Sequence, residues 1–462
     1  MADDSPSSLR APQPTELSPR TRRILEGPVA PTLLRLALPN LGEAAARIAF
    51  VSFDAVFVGW LGTDALAGVS LAFPIFLLMQ MTSASGVGAG VNGSIARAMG
   101  AGHPDEAAAI AFHAILLALL FGGGFGLLML ACGPWLYAAM GASGGGLAAA
   151  VTYSAIVFGG VVAVWLMNLM ANVVRGTGNM LVPASAIIAG EAVHLALSPL
   201  LILGLGPVPS LGVAGAGIAV VASYATGALV LAGHLLAGRG EIRLQPCRPR
   251  ARHFAAILGV GVPAGLNVVQ AQATMILATG FAAAFGTTAL AGYGAAARLD
   301  LLQIPLTFAM GSAVIAMVAT AIGAGRHDRA RRIAWTGAGI GFAIGLVFAA
   351  VALGAPGTWM GFFSTDTATV AEGAAYLQRA GLAYPVLGIG FGLFFSLLGL
   401  GRATASFFAG TARLAVIAAG GWTVVHWLAG GLPMLATVAV AAALAFTAAM
   451  LVVAATTREL RG

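Results

Sequence analysis

Residues 61–68 read LGTDALAG, and residues 285–292 read FGTTALAG. The second stretch begins 224 residues after the first, and further pairs keep almost the same offset. Met99–Ala107 (MGAGHPDEA) is echoed by Ile322–Ala330 (IGAGRHDRA), Pro39 by Pro263, and Arg175–Asn179 (RGTGN) more loosely by Gly399–Arg402 (GLGR). Matched anchors in one register mean a duplicated unit. The medium follows from composition: 59% of residues are hydrophobic and 8% charged, against roughly 25% charged in soluble domains. In a membrane chain, duplication is a recurring plan of transporters whose halves rock about a central site.

Apolar runs long enough to cross a bilayer, about 20 residues each, recur at 29–60, 65–97, 108–131, 147–173, 181–203 and 212–236, then at 254–284, 288–322, 333–354, 373–398, 404–428 and 432–456. The fold class read from this is an all-α integral membrane protein of twelve spans in two six-helix lobes. Six spans is an even number, so both lobes enter from one side, related by a pseudo-twofold axis along the membrane normal. The absence of short alternating segments excludes a membrane β-barrel. The expected organisation is a polar tail at 1–27 without structure, a first lobe at 28–237, a basic linker at 238–253, a second lobe at 254–457 and a tail at 458–462.

The charges orient the spans. Every basic residue is Arg, and the loop arginines gather on one face: Arg97, Arg175, Arg326, Arg402 and the linker cluster Arg239, Arg243, Arg248, Arg250 and Arg252 among them. The opposite loops carry Asp64, Asp366 and Glu372. The positive-inside rule then predicts both termini in the cytoplasm of a multi-pass inner-membrane protein. Topology accounts for the net charge of +7, so no nucleic-acid partner is needed. Cys132 and Cys247 fall on opposite faces and are expected not to pair.

Function must lie with the few polar groups the spans bury, since each charge at a helix centre costs roughly 2.5–3.5 kcal/mol to insert. Span one carries Glu43, Arg47 and Asp54. At roughly 100° per residue, Arg47 falls about 40° and Asp54 about 20° from Glu43, so all three share a face. Glu43 and Arg47 form an i,i+4 pair. Their mutual neutralisation leaves Asp54 as the carboxylate free to titrate, and Arg47→Ala is expected to strand Glu43. Span five repeats the pattern with Glu191, His194 and Ser198 on one face. Asn168 and Asn172, one turn apart on span four, are read as hydrogen-bonding partners for Asp54. The second lobe is poorer. Its first span offers Asn267 and Gln270, and its second offers Asp300 and Gln303 as cavity-lining groups.

Other signals exclude more than they include. The glycines Gly86, Gly88, Gly90 and Gly93 follow no strand and read as a close helix–helix contact. With no Lys in the chain, a Walker nucleotide site is impossible. No cofactor or metal centre is expected.

Asp54–Gly68 (DAVFVGWLGTDALAG), Ala96–Ala107 (ARAMGAGHPDEA), Arg175–Pro183 (RGTGNMLVP), Gly204–Gly215 (GLGPVPSLGVAG) and Arg298–Pro305 (RLDLLQIP) followed by IGAGRHDRARR together resemble the multidrug and toxic-compound extrusion family. The resemblance runs from about Pro31 to Thr456. It implies a two-lobe antiporter that expels amphipathic, often cationic compounds in exchange for H⁺ or Na⁺. By that resemblance Asp54 matches the cation-coupling aspartate of the first helix. His194 and Ser198 stand where many members have Asn and Asp, and Gln270-Ala271-Gln272 where one branch has a Glu. No acid lies within 388–400, where that branch has a tenth-helix Asp. Coupling is therefore expected in the first lobe, through Asp54 with Glu43, Arg47, Glu191, His194 and Ser198 around it.

Two other classes compete. A lipid-linked saccharide flippase calls for a larger, more cationic cavity than Arg47, Arg379 and Arg413 supply. A membrane-embedded enzyme calls for a nucleophile or metal cluster that the chain lacks. The expected partners are small organic substrates, H⁺ or Na⁺, and the lipid bilayer, with the chain acting as a monomer and not as an enzyme.

Overall fold

The computed structural model describes residues 17–204, 209–428 and 430–460, and the side chains of residues 49–52, 54, 55 and 301 lie outside that description. The first half comprises α1 Pro19–Glu26, α2 Val29–Gly59, α3 Thr63–Met81, a π-helical turn Thr82–Val87, α4 Gly88–Gly100, α5 Pro104–Ala139, α6 Gly144–Gly159, α7 Val161–Gly176, α8 Leu181–Leu203 and α9 Val213–Leu236. The second comprises α10 Ala251–Ala283, α11 Thr287–Gly323, α12 His327–Gly354, α13 Pro356–Gly361, α14 Thr367–Ala380, α15 Ala383–Leu400, α16 Ala403–His426 and α17 Gly431–Thr456.

Ten described helices are long and apolar enough to cross a membrane, and the α6–α7 pair, bent by 46°, makes an eleventh. The twelfth is α2. Its 31 residues reach about 46 Å at 1.5 Å per residue, and its four charges, Arg35, Glu43, Arg47 and Asp54, are spread along its length rather than gathered at one end. The fold is thus twelve spans in two lobes, with α2 through α9 in one and α10 through α17 in the other. Pro39 in α2 and Pro263 in α10 sit inside continuous helices, as membrane helices allow when neighbours satisfy the freed backbone groups.

Two expectations need correction. The tail to residue 27 is not without structure throughout, because α1 occupies part of it. Thr21, Ile24 and Leu25 form a buried stripe there, and the few apolar residues of a polar segment suffice when spaced at i, i+3 and i+4. The linker also ends early, since α10 starts at Ala251.

The lobes meet by cross-packing, α2 on α11 and α10 on the π-helical turn and α4. Asn40 Nδ2 donates to Ala309 O (3.0 Å), Asn92 Nδ2 to Ser312 O (3.2 Å), Ser94 Oγ to Ala256 O (3.1 Å) and Arg97 Nη1 to Gly399 O (3.1 Å). At Gly86 an added Cβ would lie 2.8 Å from Gly265 Cα, so this crossing tolerates no side chain. These contacts all sit within about 15 residues, or roughly 22 Å, of the arginine-rich helix ends. The seam is closed on that face, with α2 and α10, the first helices of the two lobes, each packing on the opposite lobe.

Candidate functional site

The first-lobe site is built on α2. Glu43 Oε1 accepts a hydrogen bond from Arg47 Nη2 at 3.3 Å, as the i,i+4 spacing predicts. The structure adds a third member. Arg175 Nη2, from the last turn of α7, donates to Glu43 Oε2 at 2.5 Å. Arg175 is also the less exposed partner, with 10% of its side chain accessible against 27% for Arg47 and 13% for Glu43. This corrects the expectation that loss of Arg47 would strand Glu43, because a second guanidinium remains. Arg175 was read as a loop arginine that merely sets topology. The missed signal was its place inside the last turn of a span.

A close helix crossing completes the cluster. At Gly190 on α8, an added Cβ would lie 2.6 Å from Ser223 O on α9. That approach sets Glu191 beside Tyr224, and both act electrostatically on Arg47. Arg47 Nη1 also donates to the Tyr224 hydroxyl at 3.4 Å. His194 and Ser198 continue the buried stripe of α8, on the face their spacing predicts. Two guanidinium groups and two carboxylates thus gather inside one lobe, where low dielectric makes each charge depend on its partners.

Asp54 lies three helical turns beyond Glu43 on the same α2 face by helical register, and its side chain falls outside the described residues. Asn168 and Asn172 are buried, and their amide donors are committed to span two. Asn168 Nδ2 reaches Ser83 Oγ at 2.7 Å, and Asn172 Nδ2 reaches Ala84 O at 3.0 Å. Both partners lie in the π-helical turn. Such turns leave the regular ladder interrupted and recur at functional positions; here a neighbouring helix supplies donors to the interruption.

In the second lobe, Gln270 Nε2 donates to Thr411 Oγ1 at 2.7 Å and Asn267 Nδ2 to its own helix at Pro263 O (3.1 Å). Both amide oxygens face Gly410 of α16, so these groups serve the α10–α16 seam. Asp300 points toward Tyr384 of α15 and Arg413 of α16, beside Tyr293 and Tyr376, whose rings meet edge to face at 5.3 Å. Gln303 is buried one turn further along α11. Arg298 turns the other way and stacks over Phe363 at 4.7 Å, as the helical angle between Arg298 and Asp300 requires. Arg413 was read only as a central cation, and the three tyrosines were not anticipated; Tyr376, Tyr384 and Arg413 come from three other helices and share no local spacing with Asp300.

Asp300 with Arg413 has the form of an internal balance of charge. Arg413→Met is expected to lower stability by about 1–3 kcal/mol through the partner left buried, and Asp300→Asn in the same protein should restore most of it. Thermal unfolding of the single and double variants in detergent checks this. A double variant as unstable as Arg413→Met alone would rule it out.

Comparison with known proteins converges on one family. The family model MatE matches residues 48–200 and 263–422. The chain is 30% identical over 67% of its length to a FAD transporter of Shewanella oneidensis, covering 69% of that protein. It is 27% identical over 69% of its length to the Probable multidrug resistance protein YoeA of Bacillus subtilis, covering 68% of it. The crystal structure of a MATE transporter in the bent conformation superposes with a TM-score of 0.87 at 23% identity, covering 95% of this chain and 96% of that one.

Proposed function

Because this chain belongs to the MatE family of multidrug efflux transporters, we propose that it is a secondary active antiporter exporting amphipathic, cationic organic compounds in exchange for H⁺. One observation carries the reading. The acids carried by the spans concentrate in the first lobe, where Glu43 bonds Arg47 and Glu191 lies within electrostatic reach of it, whereas Asp300 in α11 of the second lobe faces Arg413. Asp54 is the carboxylate of α2 for which the site supplies no guanidinium by sequence spacing, and it takes the coupling role.

The mechanism needs one proton and two arrangements of the lobes. Protonated, Asp54 carries no charge and α2 relaxes toward one arrangement. Ionised, it draws polar partners and favours the other. A ligand shifts such an equilibrium only by its differential affinity for the two states, and a proton on a carboxylate changes a full charge. For electroneutral exchange of one proton per monovalent cation, each unit of pH gradient is worth about 1.4 kcal/mol, or about tenfold accumulation. Sodium is the weaker candidate, because hard cations favour several oxygen ligands and Ser198 stands where the resemblance places a second carboxylate. The arginine-rich face is cytoplasmic in this reading, with both termini inside and the protein in the inner membrane.

A second substrate class has its own support. Arg47 and Arg175 share Glu43, and the Shewanella oneidensis relative is a FAD transporter, so an aromatic anion such as a flavin nucleotide is the alternative cargo. Purified protein in proteoliposomes distinguishes these readings, with pH and Na⁺ gradients imposed separately and either a cationic dye or FAD as cargo. Dye efflux driven by a pH gradient alone is the expected result. Efflux driven by Na⁺ at equal pH on both sides would overturn the proton assignment, and FAD movement without dye movement would overturn the substrate class.

A further inference from the structure

We propose that α1 is a latch that holds the two lobes together on the arginine-rich face and must release before that face can open. An isolated helix of eight residues is not stable in water, so α1 owes its order to what it docks on. Its start is capped by Ser18, whose Oγ accepts from Thr21 N at 3.1 Å. Its buried stripe, with Ile24 and Leu25 at its centre, enters the apolar cluster that also contains Leu33 and Met180 of the first lobe and Val314, Met317 and Leu398 of the second.

The end of α1 is where the lobes are tied. Helix C-termini leave carbonyl oxygens unsatisfied and carry partial negative charge, which cations complement. Here the cations come from the opposite lobe. Arg329 Nε donates to Ile24 O and Arg329 Nη2 to Gly27 O, both at 2.6 Å, and Arg326 Nη1 donates to Leu25 O at 3.1 Å. These arginines stand where α11 turns into α12. On the first-lobe side, Ile24 covers Gly178, where an added Cβ would lie 2.8 Å from Ile24 Cδ1. Arg20 reaches Glu241 of the inter-lobe linker at 4.0 Å. Since α1 continues through Gly27 and Pro28 into α2, it is an arm of the first lobe gripped by the second. Separation of the lobes at this face breaks the three arginine bonds together.

The proposal requires only that the lobes separate here and is independent of ion or cargo. The test uses full-length protein in nanodiscs, with Cys132 and Cys247 replaced by Ala and spin labels at Asp105→Cys and Thr404→Cys, exposed positions on opposite lobes. Pulsed-resonance distances are compared between the parent and Arg326→Ala/Arg329→Ala, with Ile24→Ala as an independent loss of the apolar grip. Loss of several charge-assisted bonds should raise the long-distance population by about tenfold or more, and Ile24→Ala should shift it in the same direction. Arg329→Lys, which keeps the charge but loses the fork, should fall between. Identical distance distributions in the parent, the double variant and Ile24→Ala would overturn the latch.

Discussion

Asp54→Asn is expected to reduce gradient-driven efflux to the leak of empty proteoliposomes, while the protein still inserts and elutes as a folded species. Asn keeps the size and hydrogen-bonding capacity of the side chain but cannot change charge, so the two proton-loaded states become one. Asp54 shares the α2 face of Glu43 and Arg47, and it is the position that the family resemblance assigns to coupling. Downhill movement of cargo without a gradient should survive in part, because it requires no change of charge at Asp54. The measurement is dye efflux under an imposed pH gradient, normalised to reconstituted protein. Efflux at the parental rate in well-folded Asp54→Asn would remove Asp54 from the mechanism and move attention to Glu191.

Arg175→Ala is expected to be the most damaging arginine substitution in the first lobe, exceeding Arg47→Ala. Arg175 is the nearer and less exposed partner of Glu43. Removing one member of a buried pair costs about 3–5 kcal/mol, most of it the charge left behind. Arg47→Ala leaves the Arg175–Glu43 bond in place, so its cost in stability should be smaller and its effect should appear mainly in transport. Replacing both partners, as Glu43→Gln/Arg175→Met, should recover much of the stability that Arg175→Ala loses. Thermal unfolding of the four proteins in one detergent orders them. If Arg47→Ala proves the least stable, the pairing of Glu43 runs chiefly within α2, and the α7 contact is minor.

Much of this molecule was written in local pattern. The repeat of LGTDALAG as FGTTALAG, the two prolines in register and the apolar runs led to twelve spans and two lobes, because in a bilayer the backbone must bond within each helix and length alone then defines a span. The shared face of Glu43 and Arg47 was legible for the same reason, as was the buried stripe of Glu191, His194 and Ser198: angles within one helix follow from counting residues. The helix α1 was hidden because eight residues in a polar segment order only through docking.

What the sequence by itself determined is the set of helices, their duplication, and the side chains each presents on one face. What only the tertiary structure decided is which faces meet. Arg175 bonds Glu43 across 132 positions of chain, and Asn168 and Asn172 turn their amides to the π-helical turn. Asp300 finds Tyr376, Tyr384 and Arg413 from three other helices, and Arg326 and Arg329 grip the end of α1 some 300 residues away. No periodicity encodes such pairings. They depend on crossings that glycines permit, at Gly86 against Gly265 and at Gly190 against Ser223, and a crossing is a property of two surfaces packed together rather than of either helix alone.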